Sequence, residues 1–417
     1  MEQTARTQDA WAFGALMLFV VAMYAVPGEW IPGADKLRIA LVTSSLAAAL
    51  VVLRRLGKLE PVYLDGVRGL ALIGFAALAS GSILWSIHPE ESRTTAIGIV
   101  KLVAIYLTMV NVLTTWRRVV WVCGALVAGS IVTSIGVIHW HHAGVDLVEG
   151  YRARWVGVYA DPNHMAMDLG LVVPLALAFL ARRQTPAVFR VVSALAAALA
   201  VVAIVLSHSR GGFIGLAVAV VLWAAREKQR VRSFFIGLAF VLALLAFAPE
   251  SFWRRTSTVA TFEDDVSALG RVHAWQVAKD INVERPLLGV GAGAFRFAWP
   301  MYAPPEARRA YVAHNVFLDV IGELGLVGLF LFLVFAGGAS GGAFAASTDP
   351  THGWLARAIA AAIAGYLVCD LFSGYILSSH LYVFFGLGAC VDRLAHAVRA
   401  CASWPSANAT EASLARG

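Results

Sequence analysis

The chain has 417 residues, of which 59% are hydrophobic and only 14% are charged, and its net charge is +7. Soluble domains carry roughly 25% charged residues, so this composition excludes a soluble globular protein, whose water-facing surface would need more charge. The apolar residues fall in blocks of about 15 to 25, the length that crosses a bilayer core as a helix. Most positive charges lie in short loops between these blocks, a pattern that orients membrane proteins and argues against nucleic-acid binding.

Twelve apolar blocks predict an all-α integral membrane protein with about twelve transmembrane helices in one polytopic domain, residues 1–417. In chain order, the predicted spans are 11–26, 37–53, 67–87, 94–113, 119–138, 165–181, 191–206, 213–225, 234–247, 316–335, 354–371 and 382–391. The first block follows a polar stretch and has no small-residue cleavage site, so it is interpreted as a retained helix rather than a signal peptide.

The distribution of Lys and Arg predicts the orientation of these spans, because short cytoplasmic loops carry the excess of positive charge. With twelve spans both termini share one side, and that side carries Arg54, Arg55, Lys58, Arg68, Arg117, Arg118, Arg182, Arg183, Arg190, Arg226, Lys228, Arg230, Arg232, Arg393 and Arg399. The short loops of the other side carry Lys36, Arg38, Arg93, Arg152, Arg154 and Arg210. Both termini are therefore predicted to be cytoplasmic.

The longest hydrophilic segment, residues 250–313, falls on the non-cytoplasmic side and is predicted to form a folded cap loop. Loops of this size usually carry function. Within the loop, residues 272–281 are expected to form a helix with Val272 and Trp275 buried. At the other extreme of order, residues 403–417 are expected to be a disordered tail.

The first group of polar residues on the non-cytoplasmic side begins at Arg154 and Gly157 and continues to Asp161, Pro162 and Asn163 at the start of a span. Asn163 or Asp161 is suited to cap that helix, with Pro162 near its first turn. For Asn163, capping and ligand binding are equally supported. Capping does not explain Arg154, which is a candidate binding residue.

The second group is a tight connection between two spans that contains Ser209, Arg210, Gly211 and Gly212. A two-glycine turn is an ordinary way to join antiparallel helices, and an arginine at the membrane surface commonly extends its charged head toward water. The connection is so short that Arg210 must lie near membrane depth, where ionisable groups are costly and usually functional. A functional role for Arg210 is therefore favoured.

The third group lies in the cap loop, where Arg271 precedes the glycines Gly289, Gly291 and Gly293. No strand–turn–helix unit surrounds these glycines, so a dinucleotide-binding fingerprint is rejected. They are interpreted as positions where the backbone turns tightly or approaches a ligand closely. Arg271 is a candidate binding residue, and an ion pair with the acidic run 263–265 is its alternative.

The fourth group is His314 and Asn315, which open a span that also carries Asp319 and Glu323. A single histidine at a membrane interface is most often structural, but its near-neutral pKa makes it a natural proton acceptor. On an ideal helix Glu323 lies about 180° from His314, so it is not expected to orient that ring. Packing or helix pairing is the preferred role for both acids.

Metal binding is disfavoured by the sequence. His139, His141 and His142 lie close together, but no cysteine or carboxylate at close spacing completes a ligand set. The acidic run 263–265 is interpreted as a solvated turn.

Taken in order, these four groups resemble the O-antigen ligase and polymerase superfamily of bacterial membrane glycosyltransferases over about residues 150–335. The matching residues are Arg154, Gly157, Asp161, Pro162 and Asn163, then Ser209, Arg210 and Gly211, then Arg271, Trp275, Pro286, Gly289, Val290, Gly291 and Phe295, and finally His314, Asn315, Glu323, Leu324 and Gly325. Each motif alone is weak, whereas four in this order across a chain of twelve spans are fairly specific.

The resemblance implies an enzyme of the bacterial inner membrane with a GT-C type fold and a periplasmic active site. It implies that His314 is the catalytic base and that Arg210 and Arg271 bind the diphosphate, with Arg154, Asn163 and Asn315 as further substrate contacts. The implied donor is a glycan on undecaprenyl diphosphate, and the implied acceptor is a sugar hydroxyl of lipid A–core. Neither a metal nor another cofactor is implied, and the anomeric centre is expected to invert.

Several other functions stay open at this point. An O-antigen polymerase shares the motifs and would accept a second undecaprenyl-linked glycan. A transferase of glycans to protein hydroxyls is a further relative. A flippase for lipid-linked sugars is the main rival from another class, but it would need polar residues deep in the inner half of several spans. The unusual polar groups cluster outside, with Lys101 as the main exception.

Overall fold

The structure is a computed structural model, and it describes residues 2–227, 235, 266–304 and 312–402. Within these residues the chain is built from helices, with one isolated β-bridge between Val148 and Arg152. The long helices are α1 (Glu2–Ala25), α2 (Ile39–Gly57), α3 (Gly66–Gly81), α4 (Pro89–Val112), α5 (Trp116–His142), α6 (Pro162–Ala181), α7 (Ala187–Leu206), α8 (Arg210–Arg226), α9 (Val266–Glu284), α10 (Val316–Ala346), α11 (Gly353–Ser373) and α12 (Ser379–Ala402).

The predicted spans correspond closely to these helices. Among the described residues, nine helices are long and apolar enough to cross a membrane, which makes the chain a multi-pass membrane protein. Two more of the predicted spans are α1, in which the apolar part Asp9–Ala25 is shorter, and α8, which has 17 residues. The twelfth predicted span, 234–247, lies outside the described residues except for Phe235. The disordered-tail prediction for 403–417 also falls outside them.

Successive spanning helices run in opposite directions, so their ends gather at two faces of the bundle. At one face, Asp9 of α1 contacts Arg118 of α5 at 2.6 Å, and Arg68 of α3 contacts Asp392 of α12 at 2.7 Å. We call this face the arginine end, because it contains arginines that the sequence grouped on the cytoplasmic side. The opposite face, where α6, α8 and α10 begin and α11 ends, is called the site end.

Helix α10 is interrupted one third of the way along. Gly325 takes a left-handed conformation with a φ of 66°, and the chain that follows α9 pairs with the opened turn. The Leu326 N–H donates to the carbonyl oxygen of Pro286 at 2.8 Å, and the Gly291 N–H donates to that of Glu323 at the same distance. The Glu323 side chain accepts a hydrogen bond from Gly293 N–H at 2.7 Å. Glu323 therefore joins α10 to the connection that follows α9, rather than pairing two helices as the sequence favoured.

The glycines of this connection have the conformational role that the sequence predicted. Gly289, Gly291 and Gly293 all have positive φ values, of 61°, 107° and 71°. A Cβ atom on Gly291 would overlap Ser86, which lies just before α4. The tight approach lets the cap connection fit between α4 and α10, and it places α9 over the site end.

The predicted helix of the cap loop is present as α9 and is longer than expected, but its predicted buried face is wrong. Val272 and Trp275 are 37% and 39% exposed. The buried positions are Ala274, Val277, Ala278 and Ile281, which pack in a small apolar cluster with residues of the connection and of α10. Small side chains let α9 lie close to α10, a preference that hydrophobicity alone does not indicate.

Candidate functional site

The backbone just before α10 is fixed from two directions. The indole N–H of Trp275 donates to the carbonyl oxygen of Ala313 at 3.1 Å. From within α10, the Asp319 carboxylate accepts the N–H of the same residue at 3.1 Å. Asp319 therefore acts as a structural acceptor for the backbone just before its own helix, whereas the sequence favoured packing or helix pairing. These two contacts hold the residue that precedes His314, and so they limit where the imidazole can lie.

His314 occupies a strained, half-buried position at this point. Its φ is +50°, in the left-handed region that non-glycine residues rarely adopt. Burial lowers the pKa of His314 to about 4, the Arg271 guanidinium and His164 add to the shift, and the Asp161 carboxylate opposes it. Groups from α9 and from the start of α6 are thus near enough to act electrostatically on one imidazole. At neutral pH this imidazole is uncharged and able to accept a proton.

Asn315 begins α10 and fastens it to α11. Its side-chain oxygen accepts hydrogen bonds from the N–H groups of Phe317 and Leu318 at 3.0 and 3.2 Å, which is the geometry of a helix N-cap. Its amide nitrogen donates to the carbonyl oxygen of Leu371 at 3.3 Å. Gly374 follows α11 and lies so close that a Cβ there would overlap the backbone nitrogen of Val316. The structure thus places Asn315 in a framework role, and substrate binding by Asn315 stays a prediction.

The start of α6 is capped by Asp161, which resolves the alternative left open by the sequence. Its carboxylate accepts from the N–H groups of Asn163 and His164 at 2.7 and 3.1 Å. Burial raises the pKa of Asp161, but nearby His164, these two N–H donors and Arg152 together lower it below the ordinary value. Asp161 is therefore ionised at neutral pH. Since Asp161 supplies the cap, the side chain of Asn163 is left for other contacts.

The arginine that contacts the side chain of Asn163 is Arg152 rather than Arg154. Arg152 is buried and donates to Asn163 Oδ1 at 2.8 Å and to the carbonyl oxygen of Ser207 at 3.0 Å. The guanidinium of Arg154 forms an ion pair with Asp146 on the surface of the site end. Sequence reasoning selected Arg154 from its motif and missed Arg152, although both stand in the same short segment. Diphosphate binding by Arg154 stays a prediction, and it would require this ion pair to open.

Arg210 is the first residue of α8 and lies at the site end. Ser209 before it caps the helix by accepting the Gly212 N–H at 3.2 Å. An added Cβ on Gly211 would lie 3.7 Å from Phe372 at the end of α11, and one on Gly212 would lie 2.6 Å from Ala166 of α6. The end of α11 that contacts Asn315 is therefore the end against which α8 begins. Arg210, Arg271 and His314 all come to the site end, from three separate parts of the chain.

A buried polar network that the sequence analysis did not select supports this end of the bundle. Asp168 of α6 contacts His380 Nδ1 of α12 at 3.1 Å and accepts a hydrogen bond from Ser378 at 3.1 Å. The other ring nitrogen of His380 lies 2.9 Å from the Tyr159 hydroxyl. The available signal was the acidic residue Asp168 inside an apolar span, which is costly without partners. The network fixes α6 against α12 just below Asp161.

Among the described residues, no group of three or more His, Cys, Asp or Glu side chains is arranged to hold a metal ion. The rings of His141 and His142 pack against each other at 5.9 Å. The acidic run 263–265 lies outside the described residues. The site end contains guanidinium and imidazole side chains, which are suited to binding an anion and to moving a proton.

The fold and the site together define a polytopic helical membrane protein with a guanidinium–imidazole site at one end of its bundle. Residues 195–333 match the family model described as O-Antigen ligase, which agrees over this segment with the resemblance that the sequence motifs indicated. The segment contains Arg210, Arg271 and His314. Residues 150–194, which carry the first of the four motifs, precede it.

The chain was also compared with solved structures and with curated protein sequences. A chain in the solved structure described as "Structural coordination of polymerization and crosslinking by a peptidoglycan synthase complex" is 15% identical to this one, with a TM-score of 0.47. The alignment covers 78% of this chain and 96% of that chain. No curated protein sequence matches the chain.

Proposed function

We propose that this protein is an O-antigen ligase. In this proposal it transfers a glycan from undecaprenyl diphosphate to a sugar hydroxyl of lipid A–core, at the periplasmic face of the bacterial inner membrane. The fold is proposed to be of the GT-C type, with both termini cytoplasmic. The observation that carries the proposal is the convergence of Arg271, Asp161 and His164 on His314.

His314 is proposed as the base that deprotonates the acceptor. The acceptor oxygen forms a bond to the anomeric carbon while its proton passes to the neutral imidazole. The bond from that carbon to the diphosphate oxygen breaks, and its electron pair leaves with the diphosphate. Because the acceptor attacks opposite the leaving group, the anomeric centre inverts.

Arg210 and Arg271 are proposed to bind the departing diphosphate. Guanidinium groups match phosphate oxygens with two parallel hydrogen bonds and stay charged at any working pH. The leaving group gains negative charge as its bond to the sugar breaks, so fixed positive groups stabilise the transition state more than the ground state. Asn163 is proposed as a further contact, held in place by Arg152.

The low pKa of His314 gives this arrangement a built-in response to the donor. A pKa of about 4 makes the free imidazole a weak base. A diphosphate bound to Arg271 would offset the positive charge that depresses this pKa. The imidazole therefore becomes a stronger base once the donor is in place.

Replacing His314 with Ala tests the catalytic role. The variant is expected to lose transfer by at least about a hundredfold, the contribution typical of a general base. His396→Ala is the matched control, because His396 is exposed at the far end of α12. Near-normal transfer by a folded, membrane-inserted H314A protein would show that His314 is not the catalytic base.

The choice of acceptor needs a separate reconstitution. Purified protein is combined with undecaprenyl-linked glycan, with and without lipid A–core, and the products are separated by size. Transfer of the glycan to lipid A–core, with no lengthening of the lipid-linked glycan when lipid A–core is left out, supports the ligase. Lengthened lipid-linked glycan in its absence would identify a polymerase instead.

A further inference from the structure

A polar cavity lies at the arginine end, away from the proposed active site. It has a volume of about 430 Å³ and is lined by Arg182, Gln184, Asp349, Thr351, Trp354 and Arg357, with one further proline. Volumes of about 300–1,000 Å³ are typical of small-molecule sites. The cavity is thus large enough to hold a ligand rather than a single water molecule.

The position of the cavity in the bundle sets its depth in the membrane. Arg182 directly follows α6, and Trp354 is the second residue of α11. The other ends of these two helices carry Asp161 and Gly374 at the site end. A helix of about 20 residues is about 30 Å long, close to the thickness of the hydrocarbon core. The cavity therefore lies at the opposite membrane boundary from His314, at the level of lipid headgroups.

Arg182 offers a guanidinium that other described residues leave without an acidic partner. It stacks over the ring of Trp354, with 4.7 Å from the guanidinium carbon to the ring centroid. Within the part of the chain that the structure describes, no carboxylate lies within ion-pair distance of it. Stacking on an indole fixes the plane of a guanidinium while its N–H donors remain available.

Arg357 supplies a second, more rigid guanidinium. It is only 8% exposed, and it contacts Glu227 at 3.2 Å and the carbonyl oxygen of Ser347 at 3.1 Å. These contacts use Nε and Nη1, and no described residue accepts a hydrogen bond from Nη2. Since Arg357 lines the cavity, Nη2 is a donor that a ligand can use.

Asp349 brings a negative charge to the same cavity. Its Oδ1 accepts the N–H groups of Thr351 and His352 at 3.0 and 2.7 Å, and no contact with a described residue uses Oδ2. Asp349 and Arg182 line one cavity without forming an ion pair with each other. Opposite charges held apart across a cavity match a ligand that itself carries both signs.

We propose that this cavity binds the headgroup of a membrane phospholipid that carries both a phosphate and a primary amine. The phosphate accepts hydrogen bonds from Arg182 and Arg357, and the ammonium group donates to Asp349 Oδ2. Trp354 lies at the depth where indole rings favour the boundary between headgroups and acyl chains. Basic pockets between spans at one membrane surface are known to bind phosphorylated headgroups. This site is separate from the proposed glycan-transfer site and does not depend on it.

Lipid retention by the purified full-length protein tests the proposal. Native mass spectrometry would compare phosphatidylethanolamine with phosphatidylglycerol, which lacks the amine, and with phosphatidylcholine, whose nitrogen cannot donate a hydrogen bond. Phosphatidylethanolamine is expected to be retained best. Arg182→Gln should reduce this retention about tenfold, since a charge-assisted contact contributes more than 1.4 kcal/mol and that energy corresponds to a factor of ten.

Two further variants make the test specific. Arg183→Gln removes the same charge from the adjacent, exposed residue that does not line the cavity, and it should retain the lipid fully. Asp349→Asn keeps the Oδ1 acceptor of the turn but removes the charge, so it should abolish the preference for phosphatidylethanolamine over phosphatidylglycerol. If Arg182→Gln is poorly folded, Arg182→Lys is the alternative. Lysine keeps the charge but lacks the paired N–H donors of a guanidinium, so this variant should retain lipid at an intermediate level.

Equal retention by the Arg182→Gln and Arg183→Gln proteins would overturn the proposal, as would equal retention of the three lipids by the unaltered protein. Soluble phosphoethanolamine carries the same two groups without acyl chains. Binding of that compound as tightly as the lipid would overturn the assignment of a membrane ligand.

Discussion

The indole N–H of Trp275 and the carbonyl oxygen of Ala313 are joined by a hydrogen bond of 3.1 Å, which ties the cap helix α9 to the residue before His314. Arg271 lies one helical turn earlier on α9. Any shift of α9 therefore moves the proposed base and a proposed diphosphate ligand together. The cap is in this sense part of the site rather than a cover above it.

Trp275→Phe is predicted to lower kcat for glycan transfer about three- to tenfold. Phenylalanine keeps an aromatic ring but lacks the donor, and a single hydrogen bond contributes about 0.5–1.5 kcal/mol. Steady-state rates with a fixed acceptor measure the effect. Trp121→Phe is the control, because Trp121 is 57% exposed on α5. Unchanged turnover in the Trp275 variant would show that this bond does not position the base.

The acid limbs of the two pH profiles of transfer are predicted to differ. The limb of kcat/KM reports the free enzyme, in which the pKa of His314 is about 4. The base works when neutral, so activity is present above this pKa and is lost as pH falls through it. Bound diphosphate offsets the charge of Arg271 and raises the pKa, so the limb of kcat should lie at higher pH.

Arg271→Gln provides the matching variant for this prediction. Removing the guanidinium charge should move the acid limb of kcat/KM upward, toward the ordinary histidine value of about 6.5. Arg271→Lys keeps the charge and should leave that limb near its original pH. Turnover should still fall, because lysine lacks the paired N–H donors with which a guanidinium binds phosphate. Identical limbs in the Gln and Lys variants would contradict electrostatic coupling between Arg271 and His314.

Arg152→Gln is predicted to impair both stability and transfer more than Arg154→Gln. Arg152 is buried and bridges Asn163 to the carbonyl oxygen of Ser207, so its loss leaves buried acceptors unsatisfied, at a cost of about 1–3 kcal/mol. The exposed ion pair of Arg154 contributes about 0–1 kcal/mol. Thermal unfolding and transfer rates of the two proteins decide between them. A larger loss of transfer in the Arg154 variant would contradict this order and support diphosphate binding by Arg154.

Much of the fold was predictable because the bilayer imposes a simple rule on sequence. A spanning helix needs an apolar block of a certain length, and eleven of the predicted blocks coincide with helices of the described residues. The face of α9 was not predictable in the same way. Trp275 is a large aromatic residue that the sequence predicted to be buried. Its ring is partly exposed, and its N–H donates to the carbonyl oxygen of Ala313.

The candidate site was predictable only in part, because motifs report residue types and not their neighbours. Arg210, Arg271 and His314 could be selected from the order of their motifs, and Arg210 also from its expected position near membrane depth. Arg152 could not be preferred over Arg154, because only one residue separates them in the sequence and only the bend of the connection buries one side chain. Pairings between distant spans were equally invisible in the sequence.

Gly374→Ala is predicted to displace the segment that carries His314. A Cβ at position 374 would overlap the backbone nitrogen of Val316 and lie 2.7 Å from the carbonyl carbon of Asn315. Backbone atoms cannot move aside as a flexible side chain can, so the start of α10 must shift. Overpacking of this kind costs about 1–3 kcal/mol of stability, and transfer should fall further than stability because the base is moved.

Gly341→Ala serves as the matched control for this substitution. Gly341 lies inside α10 with no atom within 4 Å of an added Cβ. Alanine there should leave transfer unchanged and raise helix stability by about 0.5–1 kcal/mol. Both variants are measured below their unfolding temperatures, so that lost activity reflects geometry rather than unfolding. Full transfer by the Gly374 variant would mean that the end of α11 does not set the position of His314.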